Sequence, residues 1–111
     1  MIEKIIRDYL LSVLTVPVYT DVPADPPKSY CVIERTGGGK REHVRDAQIV
    51  VDSYGASRWS AATLHEEVLA KLPDIATGDV VSSCEVNSEY DNTDTETNRY
   101  RYGAYFNIVY Y

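Results

Sequence analysis

From residue 99 onward the chain reads RYRYGAYFNIVYY, and at period two it separates into two sets. Tyr100, Tyr102, Ala104, Phe106, Ile108 and Tyr110 fall on one side, and Arg99, Arg101, Gly103, Tyr105, Asn107 and Val109 on the other. Alternate residues of a strand face opposite ways, so this is a strand with one apolar and one mixed face. Its β-branched and aromatic content agrees. At about 3.3 Å per residue it would reach roughly 40 Å. That is more than a chain of this length, with an expected radius of gyration near 13 Å, needs. The strand is therefore expected either to bend, with Gly103 as a bulge, or to pair in part with something outside the chain.

The other elements follow from the same reading. Ile2, Ile5, Ile6, Tyr9, Leu10, Val13 and Leu14 recur at three and four, the spacing of an amphipathic helix, which Pro17 ends. Residues 18–22 form a short extended piece, and the PADPP run at 23–27 reads as a turn or an edge covering. Residues 29–35 form a strand apolar on both faces, expected inside the sheet. Residues 36–40, TGGGK, read as the flexible tip of a hairpin whose second strand is 47–54. Ser57 is a plausible N-cap for a helix to about Leu72, with Trp59, Ala62, Leu64, Val68, Leu69 and Leu72 as its apolar stripe. Val80, Ser82, Cys84 and Val86 alternate as a further strand, and 87–98 reads as a polar, acidic loop. The expected fold is α+β: a mostly antiparallel sheet of four to five strands with two helices packed on one face. Residues 1–111 make a single domain.

Charge changes this picture locally. The net charge of −6 argues against broad nucleic-acid or membrane binding, which needs a basic field. Yet Arg35, Lys40, Arg41 and Arg45 lie close together, while Glu85, Glu89, Asp91, Asp94 and Glu96 follow one another with no base between them. A chain with one basic and one acidic segment could pair head-to-tail with copies of itself; the plainer reading is two solvated loops. No apolar run approaches the 18 residues of a membrane span. The N-terminal segment has acids interleaved and does not read as a secretion signal. Two well-separated cysteines are no disulfide framework, and a reducing compartment is expected.

Candidate chemistry is thin. The glycine run is not a phosphate loop: Glu34 stands where the first glycine belongs, Arg41 where Ser or Thr belongs, and a strand rather than a helix follows. His65-Glu66 lacks the second histidine of a zinc helix, because Leu69 occupies that place. Cys31, Cys84, His43 and His65 show no metal-ligand spacing. A Cys–His nucleophilic pair formed in space is the remaining enzymatic option. No catalytic, cofactor or metal residue is assigned, and no cofactor is expected.

The order of signals carries more than any motif. VPVYTDVP at 16–23 is followed by Pro27, then YCVIERTGGG at 30–39, then VDSYG at 51–55 leading into an Ala-rich helix, and finally Arg99-Tyr100 and the closing strand. This pattern resembles the small tail terminator, or tail completion, proteins of long-tailed phages and prophages. The likeness covers residues 16–72 and returns at 99–109, without the acidic stretch at 88–97. It implies a non-enzymatic structural protein of the virion, assembled in the host cytoplasm and placed at the tail–neck junction. Such a protein forms a hexameric ring that caps the tail tube, stops its growth and offers a surface to the head. Its partners would be copies of itself, the major tail tube protein and a head-closure or connector protein, with no membrane and no nucleic acid expected. The residues expected to make those contacts are Arg35, Gly37, Gly38, Gly39, Lys40, Arg41, Arg45, Glu89, Asp91 and Asp94. Two alternatives stand beside this reading: a head-closure or neck connector of the same class of phage, and a small ligand-binding or enzymatic α+β domain with a concave pocket.

Overall fold

The computed structural model describes residues 2–41, 44–91, 93, 96 and 99–111. Helix α1 (Ile2–Val13) turns Ile2, Ile6 and Leu10 inward, one per turn. Strand β1 (Val18–Tyr19) is two residues long. Strands β2 (Tyr30–Arg41) and β3 (Val44–Gly55) form a hairpin, helix α2 (Arg58–Lys71) passes into a 3₁₀ helix (Leu72–Thr77), and β4 (Val81–Asp91) and β5 (Tyr100–Tyr110) close the chain. The five strands lie in the order β1-β2-β3-β5-β4; β1 runs parallel to β2 and every other pair is antiparallel. Both helices cover the same face. Ile6, Leu10, Leu64 and Val68 share one buried cluster with Ile33, Ile49, Val51, Phe106 and Ile108 of the sheet. The two helices are also tied end to end, because the Tyr9 hydroxyl donates to the Lys71 carbonyl (2.9 Å) and the Lys71 ammonium to the Val13 carbonyl (2.9 Å). The α+β architecture with two helices on one face is thus as the pattern predicts.

Four details differ from expectation. The first is the terminal strand, which is neither an edge nor bent. β5 lies between β3 and β4, and Gly103 sits in regular register with Asp52 on one side and Tyr90 on the other. Its length is absorbed by an elongated molecule, 46 × 24 × 24 Å, whose radius of gyration is 13.8 Å.

The second concerns the glycines at the hairpin tip, which are part of the ladder: Gly37 pairs with Gln48, Gly38 with Ala47, Gly39 with Asp46 and Lys40 with Arg45. A glycine carries the same backbone donor and acceptor as other residues, and β3 supplies partners all along. The irregularity is a bulge at Thr36, whose hydroxyl lies 3.3 Å from the Gln48 carbonyl and 3.2 Å from its side-chain oxygen.

The third is β4, which extends to Asp91 through the first part of the expected loop and carries register shifts between Val81 and Ser83 and between Val86 and Ser88. An extra residue reverses the facing that follows it. Val81 and Cys84 are therefore both buried, while Val86, on the same side as Cys84 and opposite Phe106, is still 40% exposed on the edge strand.

The fourth is the stripe of α2. Ser57 caps this helix as predicted, accepting from the Ser60 amide at 3.1 Å. The buried residues are Ala61, Leu64, His65 and Val68. At about 100° per residue, Trp59 lies roughly 160° from Ala61, and it is 82% exposed.

Candidate functional site

Register fixes the two ends of the sheet. Lys40, Arg45, Tyr110 and Val81 share one end, and Gly55, Tyr100, Tyr102 and Asp91 the other. The basic residues expected to make contacts lie on the β2–β3 hairpin toward the first end. Arg35 folds back along its own strand and donates from Nε to the Gly37 carbonyl at 3.2 Å. Gly38 has φ of +155°, and a Cβ there would stand 2.4 Å from the Arg35 guanidinium and 2.6 Å from the Asp46 carbonyl. The glycine thus leaves room for this cation over its own strand. Arg35 and Arg45, with Glu3, Tyr110 and Tyr111, border an open depression of about 400 Å³. Gly37 lines a separate depression with Asp46, Gln48 and Asn107, and nothing lies within 4 Å of a Cβ there. Arg41 pairs with Val44 at the turn.

The acidic residues lie elsewhere. Glu89 and Asp91 are on β4 at the opposite end, and both turn back onto α2 rather than forming a solvated loop. Glu89 meets the buried His65 at 2.8 Å, and the His65 ring stacks on Tyr102 with centroids 5.7 Å apart. Asp91 pairs with Arg58 and accepts from the amide and hydroxyl of Thr93 at 3.0 and 2.7 Å. The Thr93 hydrogen bonds, and then the Arg58 charge, hold the Asp91 carboxyl below its ordinary range. Glu85 remains exposed on the same strand without an ion pair among the described residues. Asp94 and His43 lie outside the described residues. The basic and acidic groups are therefore not brought together within the chain. Lys40 and Arg45 lie at one end of the sheet and Glu89 and Asp91 toward the other, while Glu85 is level with Asn107, Gln48 and Gly37, nearer the basic end.

The face of the sheet away from the helices holds a network that sequence reading did not find. Asp52 on β3 and Tyr90 on β4 both pair with Gly103, and their side chains meet above it, the Tyr90 hydroxyl donating to the Asp52 carboxylate at 2.8 Å. A Cβ on Gly103 would stand 2.3 Å from the Tyr90 ring and 2.5 Å from the carboxylate. Beside it Arg101 donates to the Tyr54 hydroxyl at 2.9 Å and lies 5.5 Å over its ring, and Tyr54 stacks on Tyr30 at 4.4 Å. The available signal was a glycine in the middle of an aromatic strand, which marks a close approach as readily as a bulge.

Burial raises the Asp52 carboxyl above its ordinary range; the Tyr90 hydrogen bond and the Arg101 charge lower it, and Glu34 adds to the rise. A raised native value means that the folded protein holds this proton more tightly than the unfolded chain does. This group's contribution to stability therefore falls as the pH rises from about 4, the ordinary aspartate value, through the raised one. Asp52→Asn keeps an acceptor for Tyr90 and removes the titration. Melting curves over roughly pH 3 to 7 should show the variant gaining on the wild type as pH rises, then a constant difference.

The thiols are remote from this chemistry. Cys31 and Cys84 are buried and free, and burial pushes each up to about 12. At neutral pH both are therefore protonated and unreactive. Cys31 lies 3.8 Å from the Ser53 hydroxyl, while His65 faces Glu89 rather than a thiol. No cluster of metal-ligating side chains occurs among the described residues, and none of their helices is long and apolar enough to cross a membrane. Compared with models of known protein families the chain matches none, and no curated protein is significantly similar to it.

Proposed function

We propose that this chain is a ring-forming assembly subunit that caps the tail tube of a long-tailed phage, ends its growth and presents a surface for head attachment. The observation that supports the reading is the pair of unlike edges on one sheet. β1 covers β2 only at Cys31 and Val32, so from Ile33 to Arg41 the side of β2 away from β3 has no strand beside it among the described residues, and its far end is basic. β4 is the opposite edge and carries Glu85, Glu89 and Asp91. Different surfaces on opposite sides of a subunit make a heterologous contact, which closes into a ring when the rotation between neighbours allows it. The bulges in β4 interrupt its outer row of backbone groups, and such interruptions discourage simple strand addition. The edges would then meet mainly through side chains, and the contact would weaken with salt. The order of sequence signals shared with tail terminators supplies the particular assembly.

The test is purified tail tube protein polymerising in the presence of this chain. Mean tube length should fall as the chain is added, with a ring on tube ends by electron microscopy. The double variant Lys40→Glu, Arg45→Glu, both exposed in the single chain, should melt like the wild type and leave tubes long. Tubes that elongate past the wild-type protein would overturn the reading. Capture of a head connector without any effect on tubes would transfer the chain to the neck.

A further inference from the structure

The chain has one tryptophan, and the fold leaves it 82% exposed on the outer side of the first turn of α2. Burying an indole removes roughly 150–250 Å² from water and makes it a strong anchor in an interface. At the other end of the helix layer is an apolar groove of about 250 Å³, walled by Ile5, Tyr9, Ile75 and Val80. Val80 at its mouth, just ahead of β4, is 43% exposed. The fourteen residues of α2 separate the two features, about 20 Å at 1.5 Å per residue. One chain therefore cannot fill its own groove.

The charges around them match. Asp74 and Asp79 border the groove, both exposed and without an ion pair among the described residues. Trp59 lines a depression with Ser29, the neighbour of the exposed Lys28, and with Glu67, which is paired with Lys71; the adjacent Arg58 is paired with Asp91, so Lys28 is the cation on offer. The end bearing Trp59 is also the end of Asp91, and the end bearing the groove is that of Lys40 and Arg45. A single end-to-end contact would bring apolar knob to groove, Lys28 toward Asp74 and Asp79, and the acidic end of β4 toward the basic hairpin.

We infer that Trp59 of one copy docks in the Ile5–Tyr9–Ile75–Val80 groove of the next, as the anchor of a head-to-tail contact between copies of this chain. The inference rests on the ring reading, because a lone indole covers far less than the roughly 800 Å² per partner of a stable interface. The rest of the two ends, the acidic end of β4 and the basic hairpin among it, must supply the remainder.

As the sole tryptophan, Trp59 reports its own burial. In the wild type its fluorescence should move to shorter wavelength as sedimentation shows association. Trp59→Ala and Val80→Glu, both at exposed positions, should each weaken association by roughly 30-fold, the cost of losing a hot-spot residue. Each variant keeps the half of the contact that the other lacks. Adding excess Trp59→Ala to Val80→Glu should therefore shift the emission of the latter, the only tryptophan present, and yield a two-chain species. A wild type that associates with unshifted emission, or a Trp59→Ala variant that associates as well as the wild type, would overturn the inference and leave the ring reading standing. A wild type that neither associates nor shifts would overturn it too. Whether that protein still caps tubes would then judge the ring reading separately.

Discussion

Gly55→Ala is expected to destabilise the protein by about 2–3 kcal/mol, at the upper end of what one extra methyl costs in a packed site. A Cβ on Gly55 would lie 2.4 Å from the Ala61 nitrogen and 2.9 Å from both the Ala61 Cα and the Ser60 carbonyl carbon. All three are backbone atoms, so no side chain can swing aside. The first turn of α2 is held where it is by the Ala61 amide donating to the Ser57 carbonyl (3.0 Å) and the Ser60 amide to the Ser57 hydroxyl (3.1 Å). To admit the methyl group, α2 must lift from β3 as a unit, and Leu64 and Val68 lift with it. Urea denaturation should show a lower midpoint with an unchanged slope, the mark of lost stability without a change in the surface exposed. Gly103→Ala presents a contact as short, but against the ends of the Tyr90 and Asp52 side chains, which can move.

How much of this was legible depends on which interactions decide each element. The alternation in β5 and the three–four spacing of α1 report burial on one face, and burial put Phe106, Ile108, Ile6 and Leu10 where the pattern placed them. The Ser57 cap was legible because capping is local: the side chain and its amide partner are three residues apart. The β2–β3 hairpin and the antiparallel sheet were legible as well; what failed were details that pairing with a distant segment decides. Glycine propensity pointed to a loose tip at 36–40, yet β3 carried the ladder through it, since a formed neighbour outweighs a weak local preference. A bulge has no signature in a run such as Val80 to Val86, where small polar and apolar residues alternate in any case. Trp59 was drawn into the helical stripe by its hydrophobicity, although its angle sets it opposite Ala61. For the candidate site, sequence order marked the basic hairpin and the acidic segment. It gave no access to their places on one sheet, or to the Asp52–Tyr90 bridge across Gly103. Both are facts of strand order, which local signals do not encode.

The sharpest check on that strand facing is a pair of neighbours on β5. Phe106→Ala is expected to cost about 3–5 kcal/mol, the range for removing a buried aromatic ring from a core. Phe106 is fully buried, faces the helices, and shares its cluster with Ile49, Val51, Leu64, Val68 and Ile108. β5 is held by strands on both sides, so the cavity has little means of closing. Tyr105→Ala, one residue away, should cost no more than about 1 kcal/mol, the scale of a cross-strand or aromatic pair. Tyr105 is only half-buried on the face away from the helices, and its ring contact is a tilted pair with Tyr90 at 5.6 Å. Denaturation of the two variants under identical conditions gives both numbers. A one-residue slip of β5 would send every side chain of the strand to the other face and exchange the two costs. A large loss at Phe106 beside a small one at Tyr105 therefore fixes which face of this strand packs against the helices.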